Sequence, residues 1–206
     1  MEIDNLVSLM NVATFNDLPE DVLDKYMEKE LESLPTIIEN IMSQNENRIS
    51  EGVYDLRHLL GQKNPPVTTV IKTGVMPTLV SFLREGCLDH GILWNILWII
   101  TNIVAGSHSQ TIYMIDLGIV PIIIDILNNS NDMRVVSSAL WVVYNIKTDS
   151  LRHIRNEIEQ YDIEDIILGL KEKFRCASKT YELFKVMDYF KEDEYLELLE
   201  YATKNG

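Results

Sequence analysis

Cysteine is scarce in this chain of 206 residues, and the two that occur, Cys87 and Cys176, lie far apart in sequence. A pair so distant gives no disulfide framework, which favours a reducing compartment. Basic residues are also few, because 18 lysines and arginines stand against 32 aspartates and glutamates and give a formal net charge of −14. That charge would repel a nucleic-acid backbone, so we predict no nucleic-acid partner and favour a basic ligand.

Patterns typical of catalysis are missing from the sequence as well. The four histidines have no cysteine or carboxylate partners at metal-ligand spacing, and neither a Gly-x-Ser-x-Gly motif nor a phosphate-binding glycine loop occurs. The most apolar segment, 91–105, is interrupted by Asn95 and Asn102 and is shorter than the roughly 18–20 residues of a membrane span. We predict an intracellular protein that is not an enzyme, holds no metal or cofactor and binds no membrane.

What the chain does contain is an internal repeat with a period near 43 residues. VIKTGVMPTLVSFL at 70–83 recurs as MIDLGIVPIIIDIL at 114–127, and LWIITNIVAG at 97–106 recurs as LWVVYNIKTD at 140–149. Apolar residues recur at three- and four-residue steps, which is typical of helices with one buried face. Gly74 and Gly118 are expected to end helices, with Pro77 and Pro121 in the first turn of the next.

This pattern predicts an all-α protein, a right-handed α-solenoid of about four repeats. The segments are too long for buried strands, and no hairpin turns separate them. We place the repeats at approximately 35–76, 77–119, 120–162 and 163–206, after an acidic helical cap at 1–34 whose helix starts at Asn16 or Asp17. The loop NNSND at 128–132 is expected to cap the helix that follows it.

The sequence resembles the importin-α family, armadillo-repeat adaptors that bind nuclear localisation signals. The resemblance runs from about Leu34 to Asp149 and is carried by LLGQKNPPVTTVIKTGVMPTLVSFL, LWIITNIVAGSHSQT, GIVPIIIDIL and LWVVYNIKTD. It implies armadillo repeats, binding of basic signal-bearing proteins, a role in nuclear protein import and a location in the cytoplasm, the nucleus or both.

Two Trp-x-x-x-Asn motifs, Trp98 with Asn102 and Trp141 with Asn145, lie one period apart. Residues four apart share one face of a helix, so each pair points the same way. In a solenoid the third helix of each unit lines the concave side, which predicts a ladder of both pairs along one groove. The carboxamides would pair with the backbone of an extended peptide, and indole faces attract Lys or Arg by about 0.5–2 kcal/mol each.

Further site residues are implied by the resemblance. Asp149 would receive one lysine ammonium, Gly106 and Thr111 would form walls of its pocket, and Ser138 lies on the groove where the family usually has glutamine. Structural alternatives stay open: Asp149 can cap the next helix, and both asparagines can satisfy neighbouring helix ends. We expect Trp94 to back the site without touching ligand.

The last unit and the N-terminus depart from the family pattern. One period after Trp141, Asn145 and Asp149 come Phe184, Asp188 and Glu192, which either extend an acidic groove or belong to a cap that closes the solenoid. We favour the cap.

Residues 1–34 hold nine acidic and two basic residues, whereas the family's importin-β-binding segment is basic. We therefore expect no direct binding of importin-β. Gln62 stands where the family's first repeat usually has an arginine, which puts contacts at the edge of the signal in doubt. The alternative function is a decoy or scaffold that sequesters cargo, or one specific partner, without recruiting importin-β.

Overall fold

The computed structural model describes residues 20–62, 64–86, 88–175 and Met187, and every regular element within them is an α-helix. The chain divides into two compact units between Thr78 and Leu79. Several residues that the sequence singles out lie outside the described residues, namely Asn16, Asp17, Phe184, Asp188 and Glu192.

The described part of the first unit contains the helices α1 (Glu20–Ile41), α2 (Glu46–Leu60) and α3 (Val67–Lys72). Helix α2 begins after Asn45, whose side chain accepts hydrogen bonds from the first backbone N–H groups of the helix. Helices α1 and α2 approach closely, because a Cβ atom on Gly52 of α2 would lie 2.8 Å from the carbonyl oxygen of Ile37. Glycine is therefore the residue that permits this contact.

Helix α1 runs through the predicted boundary between the N-terminal cap and the first repeat. The sequence places that boundary after Leu34, whereas α1 continues to Ile41 with Pro35 inside it. Leu34, Ile37 and Ile41 are all buried. The predicted cap and the start of the first predicted repeat therefore share one helix.

The remaining described helices belong mainly to the second unit. Helix α4 (Met76–Glu85) spans the division between the units. The described helices that follow are α5 (His90–Val104), α6 (His108–Asp116), α7 (Ile119–Asn129), α8 (Met133–Lys147), α9 (Arg152–Glu159) and α10 (Ile163–Lys173).

Glycines in the left-handed conformation precede α4 and α7. Gly74 and Gly118 both have φ of 76°, a region that side chains with a Cβ rarely adopt. Pro77 and Pro121 lie in the first turns of α4 and α7. The predicted helix ends and starts at these positions are thus confirmed.

Aspartates cap the two long helices of the second unit. Asp89 accepts a hydrogen bond from the backbone N–H of Gly91 in α5, and Asp132 does the same for Arg134 and Val135 in α8. The side-chain hydrogen bond from Arg134 lowers the pKa of Asp132, and with the backbone hydrogen bonds it outweighs the opposing effect of burial. The predicted cap from the loop at 128–132 is confirmed.

Helices α5 and α8 pack side by side and form the centre of the second unit, and α8 also packs against α7 and α9. Their facing side chains are mostly β-branched, which lowers helix propensity by at most about 0.7 kcal/mol per residue. Burying one such side chain contributes about 1.5–3 kcal/mol, so packing decides in favour of the helix. Fully buried β-branched examples are Ile96, Ile99 and Ile100 of α5 and Val136, Val142 and Val143 of α8.

Candidate functional site

The two Trp-x-x-x-Asn motifs lie on neighbouring helices that are in contact. Helix α5 carries Trp98 and Asn102, and helix α8 carries Trp141 and Asn145. The side-chain Nδ2 of Asn145 donates a hydrogen bond to the backbone carbonyl oxygen of Thr101 at 3.3 Å. This bond joins the second motif to the helix of the first.

The two tryptophans of the motifs differ in how much of the ring they expose. Trp98 is 40% exposed, which is unusual for so large an apolar side chain. Trp141 is half-buried, and its ring meets Tyr144 edge to face with centroids 5.7 Å apart. Trp98 therefore offers the more accessible indole surface, whereas Trp141 is held by its neighbour. Trp94 is half-buried one turn before Trp98.

Each asparagine of the motifs uses one N–H group within the protein. Asn102 Nδ2 donates to the carbonyl oxygen of Trp98 at 3.1 Å, and Asn145 Nδ2 donates to Thr101. A carboxamide nitrogen carries two hydrogens, so one N–H remains on each side chain. Within the described residues, no hydrogen bond reaches the carboxamide oxygen of either asparagine. Each side chain thus keeps a donor and an acceptor for an external partner.

Asp149 lies just after α8 and is largely engaged by the protein itself. Its carboxylate is 8% exposed, accepts a hydrogen bond from the backbone N–H of Leu151 at 2.8 Å and contacts His108 Nδ1 at 2.9 Å. Burial raises the pKa of the Asp149 carboxyl. The hydrogen bonds from Leu151 and His108, together with the nearby charges of His108 and Arg155, outweigh burial and leave the pKa below its usual value. Asp149 is therefore an ionised group close to the start of α9.

Gly106 and Thr111 shape the turn between α5 and α6. The Gln110 side chain accepts a hydrogen bond from the backbone N–H of Ser107, which closes a capping box at the start of α6. A Cβ atom on Gly106 would collide with the carboxamide oxygen of Gln110. Thr111 is fully buried, and its hydroxyl donates to the carbonyl oxygens of Val104 and Ser107. It supports this turn from inside and presents no hydroxyl at the surface.

The remaining predicted residues occupy less accessible positions. Ser138 is buried on α8. Gln62 belongs to the first unit and is half-buried.

Two residues near the motifs were not singled out by the sequence. Asn95 lies on α5 one period before Ser138; its Nδ2 donates to the carbonyl oxygen of Gly91 at 2.9 Å. The Asn95 carboxamide oxygen is buried without a partner among the described residues. Asn95 could have been predicted from the sequence, because it lies one period of 43 residues before Ser138. No sequence signal points to His108, because it contacts Asp149 across 41 residues.

A second histidine–aspartate contact connects the N-terminal ends of α5 and α8. His90 begins α5, and its Nδ1 lies 3.5 Å from a carboxylate oxygen of Asp132, the cap of α8. At each end of this pair of helices, a histidine thus contacts an aspartate of the following repeat.

Among residues 20–62, 64–86 and 88–175, no group of three or more His, Cys, Asp or Glu side chains is arranged to hold a metal ion. Over that part of the chain, no single helix is long and apolar enough to cross a membrane. Helices α6 and α7 reach that length and composition only together, and they are bent by 73°.

One segment of the helical repeats matches a known repeat family. Residues 107–146, which cover α6, α7 and nearly all of α8, match the family model of the Armadillo/beta-catenin-like repeat. The predicted units 77–119 and 120–162 divide the same period at a different point.

Importin α subunits are among the similar curated proteins. Importin subunit alpha-2 of Arabidopsis thaliana is 34% identical over 128 residues, which are 61% of this chain and 23% of that protein. Importin subunit alpha-1a of Oryza sativa subsp. japonica is 36% identical over 107 residues, 52% of this chain and 20% of that protein. The predicted resemblance to importin α is confirmed over this stretch, and the chain spans less than a quarter of the length of these relatives.

Solved structures agree on the architecture. A designed armadillo repeat protein in complex with the peptide (KR)4 has a TM-score of 0.66 at 17% identity, covering 87% of this chain and 80% of that chain. Another designed armadillo repeat protein has a TM-score of 0.67 at 18% identity, covering 89% and 82%. The predicted all-α armadillo solenoid is confirmed.

Proposed function

We propose that the face formed by α5 and α8 binds Lys/Arg-rich peptides in an extended conformation. The observation that carries this proposal is the hydrogen bond from Asn145 Nδ2 to the Thr101 carbonyl oxygen, which holds the two Trp-x-x-x-Asn motifs on adjacent helices. Side by side, the motifs offer the same pair of side chains twice.

The asparagines would bind the peptide backbone. An extended peptide has backbone N–H and C=O groups without partners, and each must be satisfied when it leaves water. The open carboxamide oxygens of Asn102 and Asn145 can accept from the peptide N–H groups, and the second hydrogen on each Nδ2 can donate to a peptide carbonyl. Backbone pairing of this kind is independent of the peptide's side chains.

The tryptophans would select for long cationic side chains. The exposed ring of Trp98 provides an apolar wall for the methylene stem of Lys or Arg, and the ring face attracts the charged head. The ionised carboxylate of Asp149 supplies a fixed negative charge next to the Gly106 turn. The net charge of −14 adds long-range attraction for a basic ligand.

We further propose that the ligands are nuclear localisation signals and that the chain takes part in nuclear protein import, in the cytoplasm, the nucleus or both. Two similarities support this proposal. The sequence relatives are importin α subunits, and one designed structural neighbour is in complex with the peptide (KR)4. The proposed role is binding without catalysis, and we still predict no direct contact with importin-β.

A titration with a fluorescent single-cluster basic peptide, followed by anisotropy, tests this function. Two or three side-chain slots, one ion pair and the backbone bonds give about 8 kcal/mol, a dissociation constant of about 1 μM. The affinity should fall as salt is added, since the ligand is held partly by charge. Trp98→Ala and Trp141→Ala should each weaken binding by about threefold to thirtyfold.

Leu168→Ala is the matched control. Leu168 is 63% exposed on α10 and lies outside the motifs, so its truncation removes an exposed apolar side chain without altering the proposed face. The proposal is wrong if the wild type does not bind at low salt, or if both tryptophan variants bind as tightly as Leu168→Ala.

A further inference from the structure

We infer that His108 is an internal competitor for the Asp149 carboxylate, so that a ligand lysine must displace this histidine before it reaches the acid. The inference rests on the peptide-binding function proposed above. It assigns to His108 the role of a residue that sets the strength and selectivity of the lysine pocket.

The geometry leaves little of the carboxylate open. His108 Nδ1 lies 2.9 Å from Asp149 Oδ1 and 3.0 Å from Oδ2, and Oδ1 also accepts the backbone N–H of Leu151. An ionised carboxylate only accepts hydrogen bonds, so Nδ1 is the ring nitrogen that carries the hydrogen. The other ring nitrogen lies 3.3 Å from the hydroxyl oxygen of Ser150. Both carboxylate oxygens therefore face the imidazole.

The nearby Arg155 does not occupy the same atoms. Its guanidinium donates to the backbone carbonyl oxygen of Asp149 at 2.7 Å, not to the carboxylate. Arg155 adds positive charge close to Asp149 and fixes the chain at the start of α9. The carboxylate oxygens are therefore contacted by the imidazole and by the Leu151 N–H, and not by Arg155.

The imidazole can leave without disturbing the helix that carries it. His108 is 49% exposed and is the first residue of α6. The start of α6 is held by the capping box of Ser107 and Gln110, which does not involve the His108 side chain. Rotation of an exposed side chain needs no backbone change, so the competition is reversible and its effect moderate.

Four proteins test the inference by anisotropy with the same basic peptide: wild type, His108→Ala, Asp149→Asn and the double variant, all at one low ionic strength. His108→Ala should bind about two- to tenfold more tightly than wild type, the equivalent of one net hydrogen bond. In the Asp149→Asn background the same substitution should change nothing, because the carboxylate for which the imidazole and the ligand ammonium compete is gone.

Two further variants separate competition from structural damage. His108→Asn keeps a donor near the position of Nδ1 and should return the affinity towards that of wild type. His90→Ala removes the matching histidine, the first residue of α5 beside Asp132, and should leave the affinity unchanged. If His108 only links successive repeats and does not compete with the ligand, His108→Ala should instead bind the peptide more weakly.

Unchanged or weaker binding by His108→Ala would overturn the inference while leaving the peptide-binding function intact, provided that wild type binds. A gain that persists in the Asp149→Asn background would also overturn it. If neither wild type nor His108→Ala binds, the peptide-binding function and the inference are both wrong.

Discussion

The asparagines of the two motifs should differ in what they contribute to stability, although they occupy equivalent places in the repeat. Asn145 donates to a carbonyl on another helix, whereas Asn102 donates back to its own helix. We expect Asn145→Ala to unfold at a lower temperature than Asn102→Ala.

The size of the expected stability difference follows from the hydrogen-bond partners of Asn145. In Asn145→Ala the Thr101 carbonyl still accepts the backbone N–H of Ala105 at 3.0 Å, so no buried acceptor is left without a partner. The lost bond is 3.3 Å long, which places its contribution at about 0.5–1 kcal/mol. Both substitutions replace asparagine by alanine near the end of a helix, so the gain in helix propensity cancels when the two variants are compared.

Thermal unfolding followed by circular dichroism measures the difference. For a chain of this size, 0.5–1 kcal/mol corresponds to a difference in Tm of about 1–4 °C. Peptide affinity should fall by a similar factor in the two variants, because each loses one pair of contacts to the ligand backbone. Equal Tm values for Asn102→Ala and Asn145→Ala would show that the bond between the helices contributes nothing and would refute this reasoning.

Three other substitutions have expected outcomes that unfolding experiments check. Asp132→Ala should lower the free energy of unfolding by about 1 kcal/mol at neutral pH. Because the folded pKa of Asp132 is lowered, the stabilisation by its carboxylate is present above the usual value of 3.8 and is lost as the pH falls through the folded pKa. The free energies of unfolding of variant and wild type should therefore converge in acid. Gly118→Ala should lower the free energy of unfolding by about 1 kcal/mol because φ is 76°. Gly169 lies on helix α10 with open space around its Cβ position, so Gly169→Ala should raise that free energy by about 0.5–1 kcal/mol. Equal effects of the two substitutions would contradict the conformational argument. Gly106→Ala should cost about 1 kcal/mol by displacing Gln110 from its capping box, and should cost less in a Gln110→Ala background.

The helix ends were predictable because they depend on local chemistry. Gly118 adopts a backbone conformation that glycine tolerates best, and Asp132 accepts hydrogen bonds from residues two and three positions along the chain. Local interactions of this kind can be predicted from a few neighbouring residues in the sequence. The start of the first repeat was harder to locate, since α1 continues past Leu34 and contains Pro35 without ending.

The chemistry of the candidate site was less predictable. The resemblance assigned Asp149 to a lysine and Thr111 to a pocket wall, and both assignments remain predictions. The structure adds that Asp149 is bound to His108 and that Thr111 is fully buried. These contacts join residues brought together only when helices of successive repeats pack.

The sequence by itself determined the helical repeat, its period and the spacing that puts Trp98 with Asn102, and Trp141 with Asn145, on the same helix faces, because periodicity and backbone preferences are properties of short segments. The tertiary structure alone decided which atoms of those faces stay open. Packing of α8 on α5 uses one N–H of Asn145, and the approach of α6 to the end of α8 sets His108 against Asp149. Hydrogen bonds of this kind depend on distances between segments about 40 residues apart, which the order of residues does not specify.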